Sequence, residues 1–421
     1  MSNQHDSFLD ALPVGWSFDR LKDVVSLRNQ KTDEASADED YLELEDLESG
    51  TGRILNRRNT LEVGSAVTLF KKGDVLFGKL RPYLEKYWEA EFDGKCTGEI
   101  LAFKPERMAS RFLFYCFGSR WFLERCNALA YGAKMPRVSW EKQLSQFNIP
   151  LPPVPEQQRI AAYLDASCAA IDTAVAAKRH QLETLDNLRW AISLKAVTQG
   201  LNPNAAMRRT GVDWVPEIPA HWKVSKLNTM FRFRKGDKAM ELTQKYISEY
   251  PGEFPVYSGQ TADEGLMGSI DSFEFDFASP VIFVTTVGAK AMTTRIVSGK
   301  FSLSQNCALI IPWHRGVNVD YYEPTIHSLF DFERRSIALI MQPSLRFKDL
   351  KKFRLPVPPR DEQREIVAFL KGKSESIAGV IAGIESQIDT LTAYRKSLIH
   401  ECVTGQRRVT EADINRVKAH G

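Results

Sequence analysis

Apolar residues recur in two long stretches of the chain at alternating steps of three and four positions, the pattern of one helix face. In the later stretch the stations are Ile377, Ile381, Ile384, Ile388, Leu391 and Leu398. The equivalent stations 206 residues earlier are Ile171, Val175, Lys178, Leu182, Leu185 and Ile192. Apolar positions at this heptad spacing form the seam of a coiled coil. The pattern therefore predicts two long helices that pack on each other.

The single polar station leaves two interpretations open. Lys178 interrupts the apolar residues of the earlier stretch. If the helices pair, its side chain must extend its amine to solvent or fix the register of the pair. If each helix instead lies separately on its own domain, Lys178 needs no such role. We favour an antiparallel pair, because a globular region between the helices allows the chain to reverse direction.

Proline-rich segments determine where each helix begins. Proline fixes its own φ and disfavours helix in the preceding residue, so Ile149 to Pro155 should be extended. Glu156 suits the positive end of the helix dipole. In the second copy Asp361 can cap the helix, with Glu362 in its first turn. Each helix should then run for about 40 residues, or roughly 60 Å at ~1.5 Å per residue.

The chain repeats itself at one constant offset of 206 residues. Seven residues of the first proline segment recur identically in the second: Pro150, Pro152, Pro153, Glu156, Gln157, Ile160 and Leu164. The same offset maps Pro13 and Trp16 onto Pro219 and Trp222. A constant offset over separate segments indicates a tandem of two similar halves.

The regions between the helices contain short β-type runs separated by turns. These runs are Ala66–Phe70, Asp74–Phe77, Ile100–Phe103, Val281–Val284 and Ala308–Ile311. Residues 110–126 and 321–341 look helical. The predicted fold class is α+β: two globular domains separated by two long helices that form an antiparallel coiled coil, in a pseudo-twofold tandem repeat.

The predicted boundaries follow from the repeat and the proline segments. Residues 1–150 form a first globular domain with an N-terminal lead-in, and residues 151–206 form the first helix. Residues 207–355 form a second globular domain, and residues 356–421 form the second helix with a C-terminal tail.

Composition agrees with a soluble chain of at least two domains. The 421 residues exceed what one core organises, and 43% hydrophobic with 26% charged residues is ordinary globular material. No apolar run reaches the ~18–20 residues of a membrane span. The N-terminus lacks the features of a secretory signal, so we expect a cytoplasmic protein. The six cysteines are scattered, which argues against structural zinc and disulfides.

The distribution of charge is more informative than the net charge of +3. Residues 31–50 carry nine acids and one base. Outside that stretch, residues 1–150 hold 20 basic and 14 acidic side chains, and residues 207–355 hold 20 and 16. Two basic bodies are therefore predicted in a nearly neutral chain, and clustered positive charge suits nucleic acid.

No catalytic constellation is evident in the sequence. Residues 73–79 match the start of a phosphate-binding loop, but Leu80 follows where Ser or Thr should bind magnesium. A dinucleotide glycine motif, an amino-methyltransferase Asn-Pro-Pro-aromatic motif and a nuclease Glu-x-Lys tripeptide are all missing. We therefore expect a protein that is not itself an enzyme.

The order of these features resembles the DNA-specificity subunit of type I restriction-modification systems. The resemblance spans essentially the full chain. Its anchors are the two proline/Glu-Gln segments at 150–164 and 356–370, residues 73–83, residues 134–140 and Tyr257-Ser-Gly259. Each anchor is weak alone, and their order and fixed offset make the set specific.

The resemblance implies a non-catalytic subunit with two target-recognition domains, each reading one half of a bipartite site in double-stranded DNA. The helices would set the spacing and dock two methyltransferase (modification) subunits, and motor-nuclease (restriction) subunits would complete the complex. No cofactor is expected in this chain, whereas S-adenosylmethionine, ATP and magnesium belong to the partner subunits. No membrane is expected to take part.

Turn-borne polar residues are the candidate DNA contacts, because Arg suits guanine, Gln suits adenine and Lys often holds phosphate. They are Lys79, Arg81, Lys134 and Arg137 in the first domain, and Ser258, Gln260, Lys290 and Arg295 in the second. The family's recognition domains diverge widely, so individual contacts do not carry over. An alternative function is a coiled-coil adaptor with two basic domains that bind protein or RNA.

Overall fold

The computed structural model describes residues 12–32, 40–59, 67–260, 265–288, 290–338 and 344–420. It separates into two compact units, of which the first consists of two separate segments and the second of one. The first unit comprises Met1–His180 with Ile384–Gly421, and the second comprises Gln181–Gly383. Each long helix therefore contributes one part to each unit.

The first unit is built from short strands, three short helices and parts of the long helices. Its strands are β1 (Ser17–Arg20), β2 (Val25–Leu27), β3 (Lys31–Thr32), β4 (Asp40–Leu42), β5 (Arg58–Asn59), β6 (Val67–Phe70), β7 (Val75–Gly78), β8 (Tyr87–Glu89), β9 (Gly94–Cys96), β10 (Ile100–Pro105) and β11 (Asn148–Leu151). Its short helices are α1 (Leu21–Val24), α2 (Ser110–Phe117) and α3 (Arg120–Leu129). The first long helix, α4, is Val154–Gln199.

Two sheets and a helical layer surround the core of this unit. One sheet has the order β2-β10-β7-β8 and the other the order β3-β6-β9-β4-β5, while β1 pairs with β11. The predicted helix at 110–126 is two helices, because the chain breaks at Gly118 and Ser119 caps α3 by accepting from the Phe122 amide. Aromatic side chains of α2 and α3 fill the core against β7 and β10.

The second unit contains a larger sheet and one substantial helix of its own. Its elements are β12 (Met207–Arg209), β13 (Glu217–Pro219), β14 (Lys223–Lys226), α5 (Leu227–Met230), β15 (Phe231–Arg234), α6 (Gln244–Glu249), β16 (Pro251–Tyr257), β17 (Leu266–Ile270), β18 (Phe275–Thr285), β19 (Thr294–Leu303), β20 (Cys307–Pro312), α7 (Val319–Ala338), α8 (Phe347–Leu350) and β21 (Arg354–Val357). The sheet order is β15-β20-β18-β19-β16-β17, so β15 and β17 are its edges. Buried-type residues of β18 and β20 and the apolar face of α7 form its core.

The second long helix, α9, is Arg360–Val403, and α10 (Glu411–His420) follows it. The prediction that Asp361 caps this helix is wrong, because the helix already begins at Arg360 and the Asp361 carboxylate pairs with Arg364 one turn later. The helix predicted to end at residue 341 is α7, and residues 339–341 lie outside the described residues.

One glutamine in each copy of the proline motif ties the helix start to the preceding extended segment. Gln157 Nε2 donates to the Pro152 carbonyl at 2.8 Å, and Gln363 Nε2 donates to the Pro358 carbonyl at 3.0 Å. Both side chains are buried. The repeated Glu-Gln dipeptide therefore has a structural cause: the amide satisfies a buried carbonyl at the strand-to-helix junction.

The two long helices run antiparallel within the first unit. Arg395 Nε lies 3.2 Å from an Asp172 carboxylate oxygen, and Lys178 Nζ donates to Gln387 Oε1, so positions ascend on α4 as they descend on α9. Every seam residue predicted from the heptads is buried or half-buried. The polar station Lys178 is half-buried and hydrogen-bonded across the pair. The predicted fold class is confirmed.

Each helix end packs against the Pro-x-x-Trp segment of its own unit. Gly200, at the end of α4, has φ +72°, and a Cβ there would lie 3.1 Å from the Trp222 indole. Gly405, after α9, has φ +77° and lies against Pro13 and Trp16. Glycine is required at both positions because the left-handed backbone and the close aromatic ring exclude a side chain.

Candidate nucleic-acid interface

The four candidates of the first unit lie on two segments that the backbone joins directly. The Arg81 amide donates to the Pro136 carbonyl at 2.7 Å, and the Val138 amide donates to the Lys79 carbonyl at 3.0 Å. Leu80 and Arg137 form an isolated antiparallel bridge. Residues 79–81 and 134–137 are thus brought together although they are more than 50 positions apart.

The side chains of this cluster differ in how firmly they are held. Arg137 is bound to Glu99 at 3.0 Å through both Nε and Nη2, and this carboxylate raises the pKa of the guanidinium. Arg81 has φ 49° and its Nη2 lies 3.4 Å from the Lys134 carbonyl. Lys134 is exposed and Lys79 is half-exposed. The two lysines therefore present the positive charge that Glu99 does not offset.

Exposed apolar side chains surround the same cluster. Tyr83 is 54% exposed, Tyr131 is 58% exposed and Met135 is 44% exposed. Large apolar residues with water on most of their surface are informative when they gather at a charged site. Sequence reasoning did not single out these three residues, since a pattern of letters does not distinguish an exposed aromatic from a core one.

Three of the four candidates of the second unit gather at the end of β16. The Arg295 guanidinium lies 4.2 Å from the centroid of the Tyr257 ring and 4.6 Å from that of Phe283. Ser258 Oγ accepts from the Gln260 amide at 3.3 Å, and Gln260 Nε2 donates to the Leu266 carbonyl at 2.8 Å. The Arg295 guanidinium therefore packs against both aromatic rings.

Lys290 lies in the turn between β18 and β19. Thr285 Oγ1 donates to the Lys290 carbonyl at 2.8 Å, and Met292 takes the left-handed conformation with φ 66°. The Lys290 side chain is exposed. The turn is therefore held through the backbone carbonyl of Lys290, so the amine of Lys290 remains available to solvent.

The acidic stretch of the first unit serves in part as an internal counter-charge. Arg58 pairs with Glu43 at 3.2 Å, with Asp46 at 2.8 Å and with Glu45. Asp46 is fully buried, and the Arg58 guanidinium neutralises its charge. Residues 33–39 of the stretch lie outside the described residues.

The described residues contain no cluster of three or more side chains suited to a metal ion. All six cysteines are free and buried. Burial raises the pKa of Cys96 to about 12 and that of Cys168 to about 11, so the thiols stay protonated. These cysteines pack as small apolar residues.

One window of α4 is apolar enough to cross a membrane by length and composition, with a mean hydropathy of 1.3 over 18 residues. In the protein 44% of that window is buried. Ile160, Leu164 and Ile171 of this helix belong to the core of the first unit. The apolar character of the helix is accounted for by packing inside the protein.

Known proteins share both the sequence pattern and the fold. A family model described as a type I restriction modification DNA specificity domain matches residues 13–184 and again residues 219–388. The specificity subunit of the Escherichia coli type I restriction enzyme EcoDI is 29% identical over 193 residues, which cover 45% of this chain and 43% of that protein. A putative type I specificity subunit from Mycoplasma pneumoniae is 31% identical over 179 residues, which cover 39% of this chain and 54% of the relative. The chain thus spans about half the length of these curated relatives.

A solved chain from a study of complex assembly and conformational transition in the type I restriction-modification system has a similar fold. The match has a TM-score of 0.68 and covers 94% of this chain and 99% of that chain. The sequence identity is 19%, so the match concerns the fold alone.

Proposed function

The chain belongs to the family of type I restriction-modification DNA specificity domains, and we propose that it is the specificity subunit of such a complex. In this proposal each globular domain reads one half of a bipartite site in double-stranded DNA. The long helices set the distance between the half-sites and dock the methyltransferase subunits. The chain itself catalyses no reaction.

The observation that carries the proposal is the duplicated family domain together with one polar cluster in each copy. The family model covers residues 13–184 and 219–388. The first copy contains the cluster around Lys79 and Lys134, and the second contains the cluster around Tyr257 and Arg295. Two similar domains with separate polar clusters suit a target of two separate half-sites.

The geometry of each cluster suggests a division of roles. Arg295, packed against two aromatic rings, has the planar fork that suits a guanine edge. Gln260 suits an adenine edge, and Ser258 accepts or donates at either base. Lys79, Arg81, Lys134 and Lys290 suit phosphates, whereas Arg137 would have to leave Glu99 to reach a base.

The proposed partners follow the family. Two modification subunits would dock on the helices and bind S-adenosylmethionine, and motor-nuclease subunits would use ATP and magnesium. This chain would hold none of these cofactors. Because such a complex would act on the chromosome, we expect the protein in the cytoplasm.

The decisive experiment is genome-wide methylation mapping after expression of the chain with its modification subunit. We expect methylation at one bipartite sequence, with two short defined elements separated by unspecified bases. A methylation pattern without a bipartite signature would contradict the proposal. A purified complex that ignored duplex DNA would favour the adaptor function instead.

The spacer role has its own test. Deletion of one heptad, Leu182–Leu188, from the 46-residue helix α4 should change the spacing between the half-sites or abolish assembly. Methylation mapping reports the spacing, and size-exclusion chromatography reports assembly. Unchanged spacing together with unchanged activity would refute the spacer role.

A further inference from the structure

The second unit carries a basic surface that lies outside all of the sequence candidates. It is formed by Lys235, which follows edge strand β15, by the end of β14, and by the segment from Arg346 to Arg354 around α8. Its members share exposure and positive charge: Lys226, Lys235, Arg346, Lys348, Lys351 and Arg354. We call these six residues the β15 face. No ion pair within the described residues engages any of them.

Contacts between side chains and between strands join the parts of the β15 face. The ring of Phe233 on β15 lies 6.1 Å from that of Phe347 on α8, and Lys235 Nζ lies 5.3 Å from the Phe347 centroid. Lys226 on β14 stands directly opposite Arg354 on β21. The strand edge, α8 and the β14–β21 ladder are therefore neighbours.

The β15 face includes a pair of like charges that lowers the stability of the fold. Like charges directly opposite each other on antiparallel strands destabilise the pair, and Lys226 with Arg354 is such a pair. Nearby carboxylates do not neutralise this pair of charges. Asp237 is engaged by Arg234 at 2.9 Å, and Asp349 is engaged by Lys352 at 3.2 Å. A net positive surface persists in the presence of local acids.

Protection of a sheet edge does not explain the arrangement. Edge strands commonly carry charged side chains, which prevent the strand from pairing with another chain. That purpose concerns the strand itself, whereas Arg346, Lys348 and Lys351 lie on α8 and its flanks, away from the edge hydrogen-bonding groups. One sign of charge on three neighbouring segments indicates an extended anionic partner.

We propose that the β15 face binds the phosphate backbone of the duplex DNA that the second domain reads. This inference rests on the proposed function and adds a contact surface to it. The face contributes affinity and orientation, and the cluster around Arg295 contributes sequence choice.

A charge-neutralising triple variant tests the proposal: Lys235→Gln, Lys348→Gln and Lys351→Gln. All three side chains are exposed, so the fold should be retained. The matched control removes three exposed positive charges elsewhere in the same unit: Arg209→Gln, Lys245→Gln and Lys300→Gln. Each variant is assembled with the modification subunits, and binding to a duplex carrying the mapped site is measured by fluorescence anisotropy at 50 to 200 mM salt.

Loss of three phosphate contacts should reduce the slope of log affinity against log salt by about 2.7, at ~0.9 per contact. Over a fourfold change in salt this corresponds to a roughly 40-fold weaker salt dependence. The methylated sequence should stay the same, because phosphate contacts carry no sequence information. The control should change the slope by less than about one.

Three results would overturn the inference. An unchanged slope would show that the face does not contact phosphate, and equal losses in variant and control would show an effect of net charge alone. A changed methylation sequence would assign base reading to the face. Failure of the wild-type complex to bind duplex DNA is a separate result, because it refutes the proposed function before any variant is compared.

Discussion

The two units attach their globular regions to the long helices through different kinds of contact. In the first unit, ion pairs fasten the globular region to the long helices: Arg53 with Asp172, Arg111 with Asp165, and Lys396 with Glu85. In the second unit, aromatic side chains do so: Trp222 donates to Glu362, Tyr321 donates to the Val197 carbonyl, and Arg335 stacks on Trp190. The repeat thus preserves the arrangement of elements, but it does not preserve these contacts.

One pair of equivalent arginines shows how far the contacts have diverged. Arg395 is 7% exposed, pairs with Asp172, and donates to the carbonyls of Gly50 at 3.0 Å and Thr51 at 3.4 Å. Its equivalent, Arg189, has a side chain that is 57% exposed and lies 3.6 Å from Asp186 on the same helix. A buried arginine with several partners should matter far more to stability than an exposed one.

The largest expected effect comes from Arg395→Ala. Removal of this buried side chain deletes its ion pair with Asp172 and its hydrogen bonds to the Gly50 and Thr51 carbonyls, so the free energy of unfolding of the first unit should fall by about 3–5 kcal/mol. Arg189→Ala should cost less than about 1 kcal/mol. Chemical denaturation gives both values, and hydrogen exchange assigns the loss to a unit. Equal losses would refute the contrast between buried and exposed arginine.

The equivalent tryptophans offer the next comparison. Trp222 Nε1 donates to Glu362 at 2.9 Å, whereas Trp16 Nε1 has no hydrogen-bond partner among the described residues. Trp222→Phe should therefore destabilise the second unit by about 1.5–3 kcal/mol more than Trp16→Phe destabilises the first, since only the former loses a charged hydrogen bond. Thermal unfolding of the two variants measures the difference, and a larger loss at Trp16 would contradict it.

A smaller effect is expected where the helix seam is polar in one copy and apolar in the other. Lys178 is half-buried in α4, and its equivalent in α9 is Ile384. Lys178→Leu should stabilise the first unit by about 1 kcal/mol through added apolar burial. Ile384→Lys should destabilise it by a similar amount. Denaturant midpoints provide the measurement, and a destabilising Lys178→Leu would indicate that the lysine fixes the helix register.

The smallest expected effect is a pH dependence of the first unit. Burial, together with nearby Arg120, lowers the pKa of His400 below its ordinary value of 6.5. As pH falls below about 6.5, the unfolded chain binds a proton that the folded unit does not, so stability falls. His400→Gln should flatten this loss, and His314→Gln, at an exposed histidine of the second unit, should not. Thermal midpoints between about pH 5 and pH 7 test the difference.

Local patterns of the sequence predicted much of the fold. The heptads predicted two helices whose seam residues are buried or half-buried. The proline segments predicted the helix starts to within one or two residues, but the prediction that Val154 and Pro155 are extended is wrong, because both already belong to α4. The resemblance to the specificity family is confirmed by the family match over both copies. These features depend on neighbours along the chain, which is the range over which helix periodicity and proline geometry act.

The candidate interface could be predicted only as a set of residues without their partners. The sequence indicated Arg137 as a DNA contact, but not that Glu99, 38 positions away, holds it. Nor did the sequence indicate that the rings of Tyr257 and Phe283 lie against the Arg295 guanidinium. The sequence did not indicate the β15 face, because its cations come from three separate segments of a chain whose total charge is nearly balanced.

The sequence by itself determined that this protein is a duplicated α+β domain with two long heptad helices, because repetition and periodicity are properties of the linear chain. Tertiary structure alone decided that each compact unit takes part of both helices. It also decided which charges are neutralised and which face solvent. That outcome depends on side chains up to 345 positions apart, such as Arg395 and Gly50, whose meeting no local pattern encodes.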